Sequence, residues 1–188
     1  MAVADTANGR RLAARLNGLF SRFRKDRQGV TAVEFGIVAV PFFGLLLGIV
    51  EVALVFFASQ LIDSGVSEAA RLIRTGQAQT EGFSEARFKQ EVCSKVLILS
   101  DCETDLKLDV RTYRDFESTK SNLEHPIDEN GNLVEDFGYQ PGVGGDIVLV
   151  RVFYEWPMIT PNLGLGPGYL ANGDLLLAST VAFRNEPF

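Results

Sequence analysis

Histidine, cysteine and tryptophan are nearly missing from this 188-residue chain, which holds one His, two Cys and one Trp. The scarcity excludes whole classes of chemistry. His125 stands alone before Pro126, so no serine or cysteine nucleophile has an evident imidazole base, and no Gly-x-Ser-x-Gly segment occurs. Cys93 and Cys102 cannot supply the tetrahedral ligand set of a structural zinc site. Gly164 to Gly168 contains no lysine and is no phosphate loop. Asp128-Glu129-Asn130-Gly131-Asn132 begins like a calcium loop, but Leu133 takes the place of the required glycine and Tyr139 that of the bidentate glutamate. The carboxylates of Glu135 and Asp136 read as a solvated loop. No cofactor, metal or catalytic centre is expected, and the chain reads as a non-enzyme.

Positive charge is short too, and unevenly placed. Residues 1–29 carry seven Lys+Arg against two Asp+Glu, a balance of +5, so the remainder of a chain whose total is −6 carries −11. An acidic remainder argues against a nucleic-acid surface, which needs clustered positive charge for phosphates.

What the chain does have is a long apolar run. Phe35 to Ala58 is interrupted by one charge, Glu51. As a helix the run is about 36 Å long, enough to cross a bilayer. Arg22, Arg24, Lys25 and Arg27 precede it, and flanking positive charge is retained on the cytoplasmic side, so the remainder of the chain is placed outside. A cleavable secretory signal would need a shorter apolar core and small residues at its exit, whereas the exit here reads Val55-Phe56-Phe57-Ala58-Ser59.

At the cytoplasmic end of the run, Gly29 is followed five residues later by Glu34 and then by Phe35. A carboxylate entering hydrocarbon costs about 2.5–3.5 kcal/mol, so it persists where a partner charge meets it. The pattern resembles the processing site of type IV pilins and pseudopilins. That resemblance implies cleavage by a prepilin peptidase between Gly29 and Val30. The new ammonium of Val30 in one subunit could then pair with Glu34 of its neighbour and set the axial register. The plainer reading is a carboxylate that snorkels at the interface, where a helix N-terminus also favours negative charge. Further along, Pro41, Gly44, Gly48 and Glu51 recur at helical intervals. Gly44 and Gly48 form a small-xxx-small pair that admits a close neighbouring helix, which Glu51 would then face. Pro41 removes one backbone donor and loosens the helix.

Four segments follow. Residues 1–29 are a basic cytoplasmic leader, in which Leu12, Leu16, Leu19 and Phe23 could form a short amphipathic helix. Residues 30–58 are the transmembrane helix and 59–76 its extracytoplasmic continuation, where Ile62, Val66, Ala69 and Ile73 prolong one apolar stripe and Gly76 offers a stop. Residues 77–188 form an extracytoplasmic α+β domain. In that domain Ser84 is expected to cap a helix reaching about Leu97, with Phe88, Val92, Val96 and Leu99 buried. Cys93 and Cys102, both placed in an oxidising compartment, are expected to form a disulfide closing a loop of about ten residues. Leu106, Leu108, Val110 and Thr112 alternate with Lys107, Asp109 and Arg111 as in a half-buried strand whose polar residues face away from the core. Asp115 to Gly145 is expected to be the most exposed region, with a turn at Asn130-Gly131. Ile147 to Trp156 is apolar on both faces and should be the central strand, and Leu175 to Arg184 should be the last. The fold class is α+β: a long N-terminal helix, a second helix and a small antiparallel sheet.

The chain resembles the TadE-like family of tight-adherence (Flp) pilus systems. Gly29, Ala32-Val33-Glu34-Phe35, Pro41, Glu51 and Ala69-Ala70-Arg71 carry the likeness, with Arg184-Asn185-Glu186-Pro187 resembling the family's ending. The resemblance implies a minor pilin or pseudopilin in the bacterial inner membrane, its C-terminal domain periplasmic. Its partners would be other pilins, the pilus assembly platform and, transiently, the prepilin peptidase. Whether it enters the fibre or stays in the bilayer is open. The alternatives are a type II secretion pseudopilin and an anchored extracytoplasmic binding module whose span is only a tether.

Overall fold

The computed structural model describes residues 29–96, 99, 101–115, 117, 123–159 and 169–188. The expected leader over 1–28 and the irregular connection at Gly164–Gly168 lie outside the described residues. The elements run α1 (Val30–Arg74), α2 (Gln77–Thr80), α3 (Glu85–Cys93), α4 (Cys102–Asp105), β1 (Lys107–Tyr113), β2 (Ile147–Trp156) and β3 (Leu175–Arg184). The strands form one antiparallel sheet in the order β1-β2-β3, with β2 central as its two apolar faces require. This is the α+β plan expected.

Internal contacts divide the chain into two compact units, one ending at Gly48 and one running from Ile49 to Phe188. In the first, the described residues are the opening turns of α1. Phe35, Ile37, Val40, Phe42 and Leu45 are all exposed, so this helix is apolar around its whole circumference. Such a helix belongs in lipid or among other helices.

In the second unit, Glu51, Ala58, Ile62, Val66, Ala69 and Ile73 of α1 are buried at helical spacing, with Val55 half-buried between the first two. That stripe packs with the inner face of the sheet: Leu108 and Val110 of β1, Val148, Val150, Val152 and Tyr154 of β2, and Leu177 of β3. Phe88, Val92, Val96 and Leu99 complete the core, as their spacing predicted. Each fully buried Ile or Val contributes about 1.5–3 kcal/mol. Gly65 lets the end of α3 approach α1, since a Cβ there would lie 3.2 Å from the Val92 carbonyl oxygen and 3.0 Å from Val96 Cγ2. Ser84 caps α3, its Oγ accepting from Arg87 N at 3.3 Å. The helix stops at Cys93, short of the expected Leu97, because Lys95 and Val96 donate to Val92 and Cys93 in tight three-residue steps that unwind it toward the disulfide.

Gly76 ends α1 in the left-handed region at φ 79°, and the Phe188 ring lies where its Cβ would be. Glu186 N donates to the otherwise free Arg74 carbonyl at 2.9 Å, and Asn185 donates from its backbone N to Asp146 O at 2.8 Å. The C-terminal residues thus close over the end of α1.

The described part of the insert between β1 and β2 is exposed or half-buried except at one point: Leu133 is buried with Phe153 and Leu170, and Ile127, Phe137 and Leu176 pack around them. Val110 donates to Gly138 O and receives from Gln140 N, both at 2.8 Å, so the insert also runs alongside β1. The physical reason lies in β2, whose second apolar face must be covered by something. Asp128 organises the insert's turn, its Oδ1 accepting from Asn130 N at 2.9 Å and Asn132 N at 2.8 Å, with Gly131 at φ 84°.

Candidate functional site

Gly29 immediately precedes α1, Val30 is its first residue, and no described atom lies within 4 Å of a Cβ built on Gly29. Glu34 and Phe35, one turn into the helix, are both exposed. Pro41 is exposed on the same helix, and Gly44 and Gly48 likewise have open space where a Cβ would be. This is a bare, largely apolar helical surface carrying one carboxylate near its start.

Glu51, in the second unit, is different. It is 3 % exposed, and its Oε1 accepts from the backbone N of Ile159, three residues beyond the end of β2. The carboxylate expected to face another helix therefore meets its own chain first. Cys93 and Cys102 are joined in a disulfide, with Cα atoms 5.8 Å apart.

The sheet's outer face holds a polar cluster that sequence reasoning missed. Asp109 and Arg151, paired across β1 and β2, are 1 % and 3 % exposed. Arg151 donates through Nε to Asp109 Oδ2 at 2.8 Å and through Nη2 to the same oxygen, and its Nη1 reaches Glu124 O at 2.8 Å. Arg111 Nε donates to Asp109 Oδ1 at 2.8 Å and its Nη2 to Glu124 Oε2 at 2.5 Å. Asp109 faces away from the core, as the alternation in β1 implies, but it is buried there rather than solvated, beneath the insert. The signal was one arginine inside the otherwise apolar Ile147-Val148-Leu149-Val150-Arg151-Val152-Phe153, which needs a carboxylate partner to be buried there.

The electrostatics follow from these contacts. Hydrogen bonding to Arg111 holds the Glu124 carboxyl below its usual range, and the backbone N–H groups of Asn132 and Asn130 do the same for Asp128. Burial pushes the Tyr139 phenol up to about 12 and raises Tyr154 too, helped by Asp105 and Asp101. A cleft of about 380 Å³ at the end of β2 is lined by Asp105, Lys107, Glu135, Tyr154, Glu155 and Asp174. Among the described residues no group of three or more His, Cys, Asp or Glu is placed to hold a metal ion. Through these contacts the Asp109, Arg111 and Arg151 cluster ties β1, β2 and the insert together.

The model of the TadE-like protein family matches residues 29–71. The TadE-like segment begins at the glycine before α1 and ends in that helix's last turns, so it contains Glu34, Phe35, Pro41, Gly44, Gly48 and Glu51. The sheet and its insert lie beyond it. Likeness to a TadE-like protein over this segment suggests a Tad pilus-associated protein. Among the described residues, Thr31–Arg74 is the one helix long and apolar enough to cross a membrane, consistent with a single-pass membrane protein. No curated protein and no solved structure matches the chain.

Proposed function

We propose that the chain is a minor pilin or pseudopilin, anchored in the bacterial inner membrane by α1, that takes part in assembling a tight-adherence pilus for surface adhesion. One coincidence carries the reading: the TadE-like match opens at Gly29, and an apolar helix starts at the next residue. A prepilin peptidase cuts between them, Val30 becomes the new amino terminus, and Glu34 the fifth residue of the mature chain. An isolated carboxylate at the edge of the hydrocarbon is unfavourable, by up to about 2.5–3.5 kcal/mol were it fully inserted, and the Val30 ammonium of a neighbouring subunit relieves it. The bare faces around Pro41, Gly44 and Gly48 dock against other pilins or the assembly platform. The basic leader stays cytoplasmic, while residues 77–188 fold in the periplasm, an oxidising compartment that suits the Cys93–Cys102 bond.

Mass spectrometry of the protein from cells with an active peptidase tests this. The mature chain should begin at Val30, Gly29→Leu should keep the leader and abolish piliation, and Glu34→Ala should be processed yet assemble poorly. Recovery of the intact leader, or normal piliation by Gly29→Leu, would refute the proposal.

A further inference from the structure

Glu51 sits seven residues, about 10 Å of helix, before the apolar run ends at Ala58. The stripe of α1 that packs on the domain starts at Glu51 and not beyond the run. At its first residue the stripe meets the segment after β2, the Ile159 N–H donating to the Glu51 carboxylate. The Ile159 side chain points outward, 75 % exposed, and Val52, Phe56 and Phe57 of α1 are exposed as well. Trp156, the only tryptophan in the sequence, ends β2 half-buried, its Nε1 buried and without a hydrogen-bond partner among the described residues.

Membrane thickness decides where these groups lie. A hydrocarbon core of about 30 Å needs about 20 helical residues, and counted from Phe35 those end at Leu54. Glu51 and the segment bonded to it then fall at the outer edge of the hydrocarbon, one turn inside the boundary. Aromatic rings with a polar edge concentrate at that level.

We propose that residues 156–159 are a lipid-facing foot of the domain, set in the outer headgroup layer so that Ile159, Val52, Phe56 and Phe57 contact phospholipid while the segment shields Glu51 from hydrocarbon. This rests on the reading of α1 as a membrane span. The bilayer is the occupant because these residues lie at the outer edge of that span, and no charged side chain stands among those four. The foot also explains how an acid survives in the run: the Ile159 backbone N–H, brought to membrane depth by the domain, is one of its partners.

The test uses the full chain in phosphatidylcholine nanodiscs, spin-labelled at a single introduced cysteine, the native pair being tied in the disulfide. The three variants are Ile159→Cys, Phe43→Cys in the span, and Val143→Cys, an equally bare position at the opposite end of β2, about 30 Å away. Relative accessibility to oxygen and to a water-soluble nickel chelate should place the 159 label between the other two. In the unlabelled chain, lipids brominated at the glycerol end of the acyl chain should roughly halve Trp156 emission, and lipids brominated at the methyl end should leave it nearly unchanged. A 159 label as water-accessible as the 143 label overturns the foot. So does screening from both reagents, which would mean that protein covers it, and so does Trp156 emission unaffected by either lipid. Water at the 43 label would overturn the membrane span itself, so the two failures are distinguishable.

Discussion

Replacing Asp109 by Ala should be among the most damaging single changes in the domain. The carboxylate takes two bonds from Arg151 and one from Arg111, and Arg151 is almost fully buried, with Glu124 O as its other partner. Removing it leaves a guanidinium buried with one backbone acceptor, a loss of about 3–5 kcal/mol. Against a total stability of about 5–15 kcal/mol this is a large fraction. With a urea slope of about 1–3 kcal/mol per molar, the unfolding midpoint should fall by about 2 M. Trp156 emission reports it in detergent-solubilised full-length protein, because the lone tryptophan packs against the core that unfolds. The double variant Asp109→Leu, Arg151→Met separates attraction from desolvation. Exchanging a buried pair for apolar groups of similar size is often neutral or stabilising, so the double variant should recover most of what Asp109→Ala loses. A loss below about 1 kcal/mol in Asp109→Ala would show that water reaches the cluster, and a double variant as weak as the single would show that the charge pair is not what the outer face depends on.

Other changes have smaller, separable effects. Replacing both Cys93 and Cys102 by Ser frees a ten-residue loop and should lower stability by about 2.7 kcal/mol on the chain-entropy account, with unfolding curves of oxidised and reduced protein as the check. Gly76→Ala places a side chain at φ 79° and drives it into the Phe188 ring, so it should cost more than the about 1 kcal/mol of the backbone conformation alone. In the Phe188→Ala background only that conformational part should remain, and an undiminished loss there would refute the steric explanation. The Glu124 carboxyl is held low by Arg111, so its stabilisation is present above the ordinary glutamate range and lost as pH falls through its lowered value. Glu124→Gln should therefore differ from the parent near pH 7 and converge with it in acid; a constant difference across pH would assign the effect to something other than ionisation.

How much of this was legible in the sequence depends on whether a residue's partner lies nearby in the chain. The helix starting beside Gly29, the stripe at Ile62, Val66, Ala69 and Ile73, the Ser84 cap and the alternation in β1, β2 and β3 are local patterns, and the structure has them where the spacing put them. The outer face of the sheet was misread because Lys107, Asp109 and Arg111 look solvated when β1 is considered alone. Asp109 is buried only because Arg151, forty-two residues on, stands opposite it and Glu124 lies above both. Composition labelled the insert polar, but a few apolar residues, Ile127, Leu133 and Phe137, suffice to hold it against Phe153. Glu51 shows the same limit, since nothing near it announces that Ile159 will supply its donor.

The two acids of the apolar segment accordingly need different explanations, although the sequence presents them alike. Glu51 is covered by its own domain, so its retention follows from folding within one chain. Glu34 is exposed near the start of α1, where a carboxylate entering hydrocarbon would be unfavourable unless a partner charge met it. A second subunit bearing a free ammonium is the relief that cleavage after Gly29 would create. On this reasoning Glu51→Gln should shift the unfolding midpoint of the domain while leaving processing alone, whereas Glu34→Gln should leave that midpoint unchanged and impair assembly. If both substitutions affected only assembly, the division of roles between the two carboxylates would be wrong, and Glu51 would belong with Gly44 and Gly48 on a surface for other helices.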